Sequence, residues 1–286
     1  MEQKFIDLYD RYTHGSMSRR AFFDRLVVLA GGTAAATALL PVLENNYAHA
    51  DTVAEDDPRV KGEMVTLKAD AQDLSGYLVR PAADGKYPSI VVVHENRGLN
   101  PHIRDVARRL AVAGNLALAV DLLSPIGGTP ADQDKARDMI GTLKPEDVTN
   151  WAKGAVAYLR GNPSSNGKVG AVGFCWGGGV IGRLAVADPT LDAAVVYYGQ
   201  QPPAEDVAKI EAPLLLNYAG LDERIDAGIP AFEEALKKNG KEYTLYVYEG
   251  ANHAFNNDTN APRYDKEAAD LAWGRTLAFF QKHLAA

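Results

Sequence analysis

The run Gly173-Phe174-Cys175-Trp176-Gly177 constrains this chain more than any other stretch. Its pattern, glycine–x–nucleophile–x–glycine, contains the single cysteine of the sequence. A strand-like run, Lys168-Val169-Gly170-Ala171-Val172, leads into it, and a small-residue helical run from Gly178 to Ala187 leads away. A nucleophile so placed sits in a strained strand-to-helix turn, and side chains two residues to either side would strike neighbouring backbone. The sulfur stands at a helix N-terminus, where unpaired N–H groups favour thiolate. A buried, inert cysteine beside a tight turn would leave much the same pattern. The elbow alone therefore does not decide between catalysis and packing.

The flanking sequence sets the fold class. From Asp51 onward, strand and helix patterns alternate. Residues 64–67 and 76–79 suit an opening hairpin, and Ser89-Ile90-Val91-Val92-Val93 is a β-branched run of the kind buried on both faces of a sheet. A helix follows with Val106, Leu110 and Val112 on its apolar side. Further strands are expected at 115–120, 168–172, 191–198, 213–219 and 243–248, and helices at 147–160, 230–238 and 265–283. The polar, Gly/Pro-punctuated stretch 127–144 suits a loop and short helix over a pocket. This alternation predicts an α/β fold, a mostly parallel doubly wound sheet flanked by helices, in one domain over residues 51–286.

Residues 1–50 read as an address. Ser18-Arg19-Arg20-Ala21-Phe22-Phe23 is a twin-arginine pattern, an apolar Gly/Ala-rich stretch runs from Leu26 to Leu43, and Ala48-His49-Ala50 is an A-x-A cleavage signal. The expectation is export to a bacterial periplasm by the twin-arginine machinery, with cleavage after Ala50 and no stable membrane anchor afterwards. Pro41 and the mild hydrophobicity of the tract weaken a spanning helix. A free thiol in an oxidising compartment needs a reason, and catalysis is one. The net charge is -7 and there is no basic stripe, which argues against nucleic acid or an anionic membrane as partner.

Asp222 closes the run Ala219-Gly220-Leu221-Asp222 at a predicted strand end. His253 follows 31 residues later, in Gly250-Ala251-Asn252-His253-Ala254-Phe255, again just past a strand. Nucleophile, acid, histidine is the chain order of α/β-hydrolase triads, and strand ends of a parallel sheet share one edge. His253 would then be the general base and Asp222 its orienting acid. Asp226 is the second candidate for the acid. Two other signals fail. Gly177-Gly178-Gly179 matches no phosphate-loop pattern. His94-Glu95 begins like a zinc motif, but Gly98 stands where the second histidine belongs, so no metal site is expected from His94, Glu95 and His102.

Asn166-Gly167-Lys168-Val169-Gly170 leading into Gly173–Gly178, then Tyr197-Tyr198-Gly199, Gly220-Leu221-Asp222 and Asn252-His253-Ala254-Phe255, resembles the dienelactone hydrolase family from about Gly76 to Leu284. The run His94-Glu95-Asn96-Arg97-Gly98-Leu99-Asn100-Pro101 further resembles an exported bacterial branch of it. The resemblance implies an α/β-hydrolase fold, a triad of Cys175, Asp222 and His253, and no cofactor or metal. It implies that Glu95 contacts the resting thiol and holds it protonated until substrate displaces the carboxylate. It also implies an oxyanion hole from the backbone N–H groups of Asn96 and Trp176. The family arginine that binds a substrate carboxylate lies four residues after the histidine, where this chain has Asn257. Arg97, Arg137, Tyr198 and Asn257 are the substrate-contact candidates, with Arg224 and Arg263 as further cations near the pocket loops.

The resulting expectation is a carboxymethylenebutenolidase-like hydrolase of carboxylic esters, with a small-molecule lactone or activated ester as substrate. Two alternatives stay open from sequence: a periplasmic ligand-binding or thiol redox-sensing protein, and a thiol-dependent acyltransferase.

Overall fold

A computed structural model describes residues 1–285. The core is an eight-stranded sheet in the order β1-β2-β4-β3-β5-β6-β7-β8. These strands are β1 (Val60–Ala69), β2 (Gln72–Pro81), β3 (Tyr87–Val93), β4 (Leu116–Asp121), β5 (Ser165–Phe174), β6 (Ala193–Tyr197), β7 (Leu214–Ala219) and β8 (Tyr243–Tyr248). β1 and β2 pair antiparallel, as the expected hairpin, and β2 continues antiparallel onto β4. From β4 to β8 every pairing is parallel. One apolar cluster lies on each face of the sheet. Central strands such as β3 and β4 are buried on both sides, which is why they read as unbroken β-branched and apolar runs.

Helices cover both faces: α4 (Pro101–Val112), α5 (Gln133–Ile140), α6 (Pro145–Arg160), α7 (Trp176–Ala187), α8 (Glu223–Asp226), α9 (Ile229–Lys238) and α10 (Lys266–Leu284). α4 starts where expected: the Asn100 side chain accepts from the Ile103 N–H, and Pro101 fills the first turn. It buries Ile103, Val106, Ala107 and Leu110, whereas Val112 faces solvent. The expected apolar side was thus one residue too long, because position 112 has rotated away from 103, 106 and 110.

Residues 1–50 fold on the full chain, a feature the reading as an address did not anticipate. Three helices form, α1 (Gln3–His14), α2 (Arg19–Ala30) and α3 (Thr33–Leu43). Phe5, Leu8, Tyr9 and Tyr12 recur at three- and four-residue spacing on α1 and bury against Phe22, Leu26, Ala36 and Leu43, a small cluster separate from the two beneath the sheet faces. The Ser18 hydroxyl caps α2 by accepting from the Ala21 N–H, so the arginine pair occupies that helix's first turn. Gly31 closes α2 at φ 80°, where glycine is unstrained. No single helix among the described residues is long and apolar enough to cross a membrane; α2 and α3 together pass by length and composition but bend by 117°.

This helical cap docks through a polar seam. The Asn96 amide donates to the Thr13 carbonyl at 2.8 Å, Asn260 to the Leu43 carbonyl at 2.8 Å, and the Asn46 N–H to the Thr259 carbonyl at 2.7 Å. Arg19 pairs with Asp134 and Glu44, and the Arg137 guanidinium lies over the Tyr12 ring at 4.5 Å. α1 consequently lies across the carboxyl edge of the parallel strands.

Candidate active site

Cys175 follows β5 directly and caps α7 with φ 55° and ψ -117°. A non-glycine residue in that region carries roughly 1–3 kcal/mol of strain, and its surroundings hold it there. Its N–H donates to the Tyr197 carbonyl at 3.0 Å. A Cβ on Gly173 would overlap the Gly177 backbone, and one on Gly177 would stand 2.5 Å from the Val93 carbonyl oxygen. Both glycines of the elbow are therefore required by close approach of backbone.

The strand ends deliver the other groups. Asp222 follows β7 and caps α8; its Oδ1 accepts from the Ile225 N–H at 3.4 Å, and its Oδ2 accepts from His253 Nδ1 at 2.5 Å. His253 comes from the loop after β8. Cys175, Asp222 and His253 are all buried, at 6%, 4% and 4% exposure. Asp226, the second candidate acid, makes no ion pair with His253; burial and the neighbouring Asp222 charge push its carboxyl up to about 6. The geometry thus joins His253 to Asp222.

A second histidine meets the sulfur. His14, the last residue of α1, places Nε2 3.1 Å from Cys175 Sγ. Its Nδ1 faces the Asp10 carboxylate and the Asp10 carbonyl, each at 3.0 Å. The His14 and His253 rings stand edge to face at 4.4 Å. Burial raises the Cys175 thiol, but the charges of the neighbouring His14 and His253 and the hydrogen bond from His14 outweigh that and bring it well below its ordinary value. Burial lowers His253, yet the sulfur and Asp222 outweigh it and raise the imidazole. His14 is raised in the same way, against its own burial and the neighbouring His253, by the sulfur and Asp10. The site favours a thiolate–imidazolium state.

His14, Cys175 and His253 offer three donor atoms within 4.8 Å of one another. A zinc ion bound to both a histidine nitrogen and a thiolate would hold them roughly 3.5 Å apart. The contact of 3.1 Å between His14 Nε2 and Sγ is that of a hydrogen bond. His94 and His102 are engaged elsewhere: His94 Nδ1 lies 2.6 Å from the Glu95 carbonyl, and His102 Nδ1 lies 3.1 Å from Asp258.

Glu95 and Asn257 depart from the sequence expectation together. Glu95 is buried after β3, but its Oε2 accepts from Asn257 Nδ2 at 2.7 Å, and no hydrogen bond joins it to the thiol among the described residues. Asn257 Oδ1 in turn accepts from the Thr259 N–H and hydroxyl. The residue four past the histidine thus holds a carboxylate of this chain. It does not line the thiol pocket.

That pocket encloses about 520 Å³. His14, Asn96, Trp176, Tyr198 and Arg137 are on its wall, together with Arg183 and Arg224. The oxyanion-hole candidates Asn96 and Trp176 line the same pocket as Cys175, and Tyr198 packs its ring against His253 at 5.0 Å. Arg97 is elsewhere. It is buried, donates to the Gln133 carbonyl at 2.8 Å, and lines a separate cavity of about 950 Å³ under the cap that contains none of the three triad residues. Arg263 lies over the Tyr9 ring at 5.2 Å and lines a neighbouring cavity that also reaches Asp222 and His253. Sequence reasoning missed Arg183. Gly179 and Arg183 follow Cys175 at four-residue steps on α7, a spacing that puts all three on the pocket side of one helix. No carboxylate lies within 4.0 Å of Arg183 among the described residues.

Comparison with known proteins agrees with this architecture. Residues 74–284 match the dienelactone hydrolase family, and residues 1–30 match a family described as YqhI-like. A protein from Methylorubrum extorquens assigned as a carboxymethylenebutenolidase is 31% identical over 285 residues, covering 94% of this chain and 96% of its own. One from Saccharolobus solfataricus with the same assignment is 31% identical over 250 residues, covering 75% and 96%. The crystal structure of a protein from Klebsiella pneumoniae assigned as a dienelactone hydrolase superposes with a TM-score of 0.70 at 28% identity, covering 78% of this chain and 99% of that one.

Proposed function

The chain belongs to the dienelactone hydrolase family of carboxylic ester hydrolases, and on that premise we propose that it cleaves small esters or lactones through Cys175, His253 and Asp222. The observation that carries the reading is the strained elbow that presents Cys175 beside a buried His253, whose far nitrogen is held by Asp222 at 2.5 Å.

The steps follow from that arrangement. The Asp222 carboxylate takes the Nδ1–H of His253, so Nε2 is the nitrogen free for proton transfer. The thiolate attacks the carbonyl carbon, a C–S bond forms, and the π pair moves onto oxygen. In this reading the backbone N–H groups of Asn96 and Trp176, both on the pocket wall, receive that oxyanion. Collapse breaks the C–O bond, and an imidazolium gives its proton to the departing oxygen. Water then loses a proton to the neutral imidazole and attacks the thioester, and the thiolate leaves with the pair of the C–S bond. Ester and water become acid and alcohol.

The pocket supports a substrate that carries negative charge. Arg137, Arg183 and Arg224 contribute three cations to its wall, whereas Asp138 is the one carboxylate of its lining. Arg137 is taken up by Asp138 at 2.8 Å and Arg224 stands 3.7 Å from Asp222, which leaves Arg183 for a ligand. Turnover of p-nitrophenyl acetate and of neutral and carboxylate-bearing lactones, beside Cys175→Ala, tests the reading. Turnover that disappears in the variant supports it; turnover that persists overturns the nucleophile.

Export with cleavage after Ala50 is a separate proposal for residues 1–50, supported by the arginine pair, the apolar tract and the A-x-A run, and it would release α1 from the enzyme. Cell fractionation tests the location, and the intact mass of the purified chain tests cleavage after Ala50.

A further inference from the structure

We propose that His14, carried over the thiol by α1, is a second acid–base residue of this active site, with its Nδ1 hydrogen-bonded to the Asp10 carbonyl and its ring beside the Asp10 carboxylate. The chemistry assigned to His14 rests on the hydrolase reading above; its place rests on the geometry of the uncleaved chain, and cleavage after Ala50 would remove it.

Four observations converge. The hydrogen bond that the sulfur makes is to His14 Nε2, at 3.1 Å, while His253 Nε2 is buried with no hydrogen-bond partner among the described residues. Asp10 sits one helical turn before His14 and offers both its carboxylate and its carbonyl to Nδ1. A carbonyl can only accept, so Nδ1 carries the hydrogen and Nε2 presents its lone pair to the thiol. Once protonated, Nε2 donates to the thiolate. Finally, α1 is fixed by contacts on both flanks of the site: Asn96 binds the Thr13 carbonyl, and Gln3 donates to Asn252 Oδ1 at 2.5 Å, next to His253. Asn96 is thereby tied at once to the cap and to the candidate oxyanion hole.

The charged groups around the sulfur divide by element. α1 brings His14 and Asp10; α5 brings Arg137 and Asp138; α7 brings Arg183; the β7 end and α8 bring Asp222 and Arg224; the loop after β8 brings His253. Glu95 approaches from β3 but is bonded to Asn257, Tyr198 approaches from β6, and Arg263 lies 4.0 Å from the Asp10 oxygen that faces His14. The two imidazoles are the groups close enough to exchange a proton with Sγ.

A second imidazole gives the site an acid and a base together. When the thiol gives its proton to one imidazole, the other remains neutral. After attack, the imidazolium protonates the departing oxygen, and the neutral partner can accept a proton from water. This matters most for a lactone, whose departing oxygen stays tethered to the acyl group and would reclose onto the thioester unless protonated promptly. With one histidine the two duties must be taken in sequence.

The test uses the full chain and reads the thiol directly. Thiolate absorbance in the ultraviolet is titrated for wild type, His14→Gln and Asp10→Asn, with circular dichroism confirming that each is folded. In parallel, kcat/KM is measured on a lactone, with His14→Gly assayed with and without added imidazole. The expected result is a higher thiol titration midpoint in His14→Gln, an intermediate one in Asp10→Asn, a loss of about 100-fold in kcat/KM, the low end for an acid–base residue, and partial rescue of His14→Gly by imidazole. An unmoved titration, or faster hydrolysis by His14→Gln, would overturn the proposal, the second by making α1 a plug. So would a fully active chain beginning at Asp51. A wild type that turns over no ester but whose titration shifts in His14→Gln would remove the hydrolase reading and keep the His14–thiol pair.

Discussion

Replacing Asp222 by asparagine removes the carboxylate that holds His253 Nδ1 at 2.5 Å while keeping the shape of the buried site. A hydrogen bond to a charged group contributes about 1.5–3 kcal/mol, which at about 1.4 kcal/mol per tenfold is a loss of roughly 10- to 150-fold. In a serine triad the same exchange costs about 10⁴, because asparagine inverts the imidazole tautomer and the hydroxyl then has no base. A thiol already ionised by two neighbouring imidazoles does not wait for that base, so acylation here should lose only the smaller factor. The assay is kcat/KM on an activated ester, which reports acylation, with the rate of iodoacetamide alkylation measured on the same samples. A loss of about 10⁴ in kcat/KM with unchanged alkylation would refute the ion-pair argument. A loss below about threefold would remove Asp222 from the triad. Asp226→Asn is the companion: without an ion pair to His253 it should stay within about twofold of wild type.

Three further outcomes follow from the same geometry. Alkylation of Cys175 should remain fast well below the ordinary free-cysteine range near pH 8.5: cationic neighbours lower the thiol, so reactivity is present at neutral pH and is lost only as pH falls through the lowered value. Asn257→Leu should leave the buried Glu95 carboxylate without its 2.7 Å donor, at about 3 kcal/mol, and lower the calorimetric Tm by about 6–12 °C. Arg183→Gln should raise KM at least tenfold for a carboxylate-bearing ester and leave a neutral ester unchanged; equal effects on both would deny Arg183 a charge role.

The elbow and the nearness of Cys175, Asp222 and His253 were legible because their signals are local and their convergence is a property of parallel sheets. Cys175, Asp222 and His253 each follow a strand, and strands β5, β7 and β8 run the same way, so their ends meet whatever the intervening loops do. Asn257 was harder. Its position marks it as a substrate contact, but which partner it takes depends on where the end of β3 places Glu95, a relation across 162 residues. Val112 failed for a simpler reason: two positions past Leu110 along a helix is about two hundred degrees of rotation, which turns the side chain away from the core. The largest omission was the cap. An arginine pair before an apolar tract satisfies the requirements of an address and also those of a helix start, and both can be true of one segment. The amphipathic stripe of Phe5, Leu8, Tyr9 and Tyr12 was present in the sequence, yet nothing in it says which surface α1 covers. His14 reaches the thiol only because Asn96, Asn252 and Arg137 hold that helix across the strand ends.

The claim on which the rest depends is that the Cys175 sulfur carries the acyl group. Rapid acid quench of the full chain with p-nitrophenyl acetate, followed by peptide mass spectrometry, measures that directly. The account predicts an acetyl group on the peptide containing Cys175, formed and discharged at rates that match steady-state turnover, and neither adduct nor turnover in Cys175→Ala. Turnover by Cys175→Ala at the wild-type rate, or an acetyl group that accumulates on another residue at a competent rate, would contradict it.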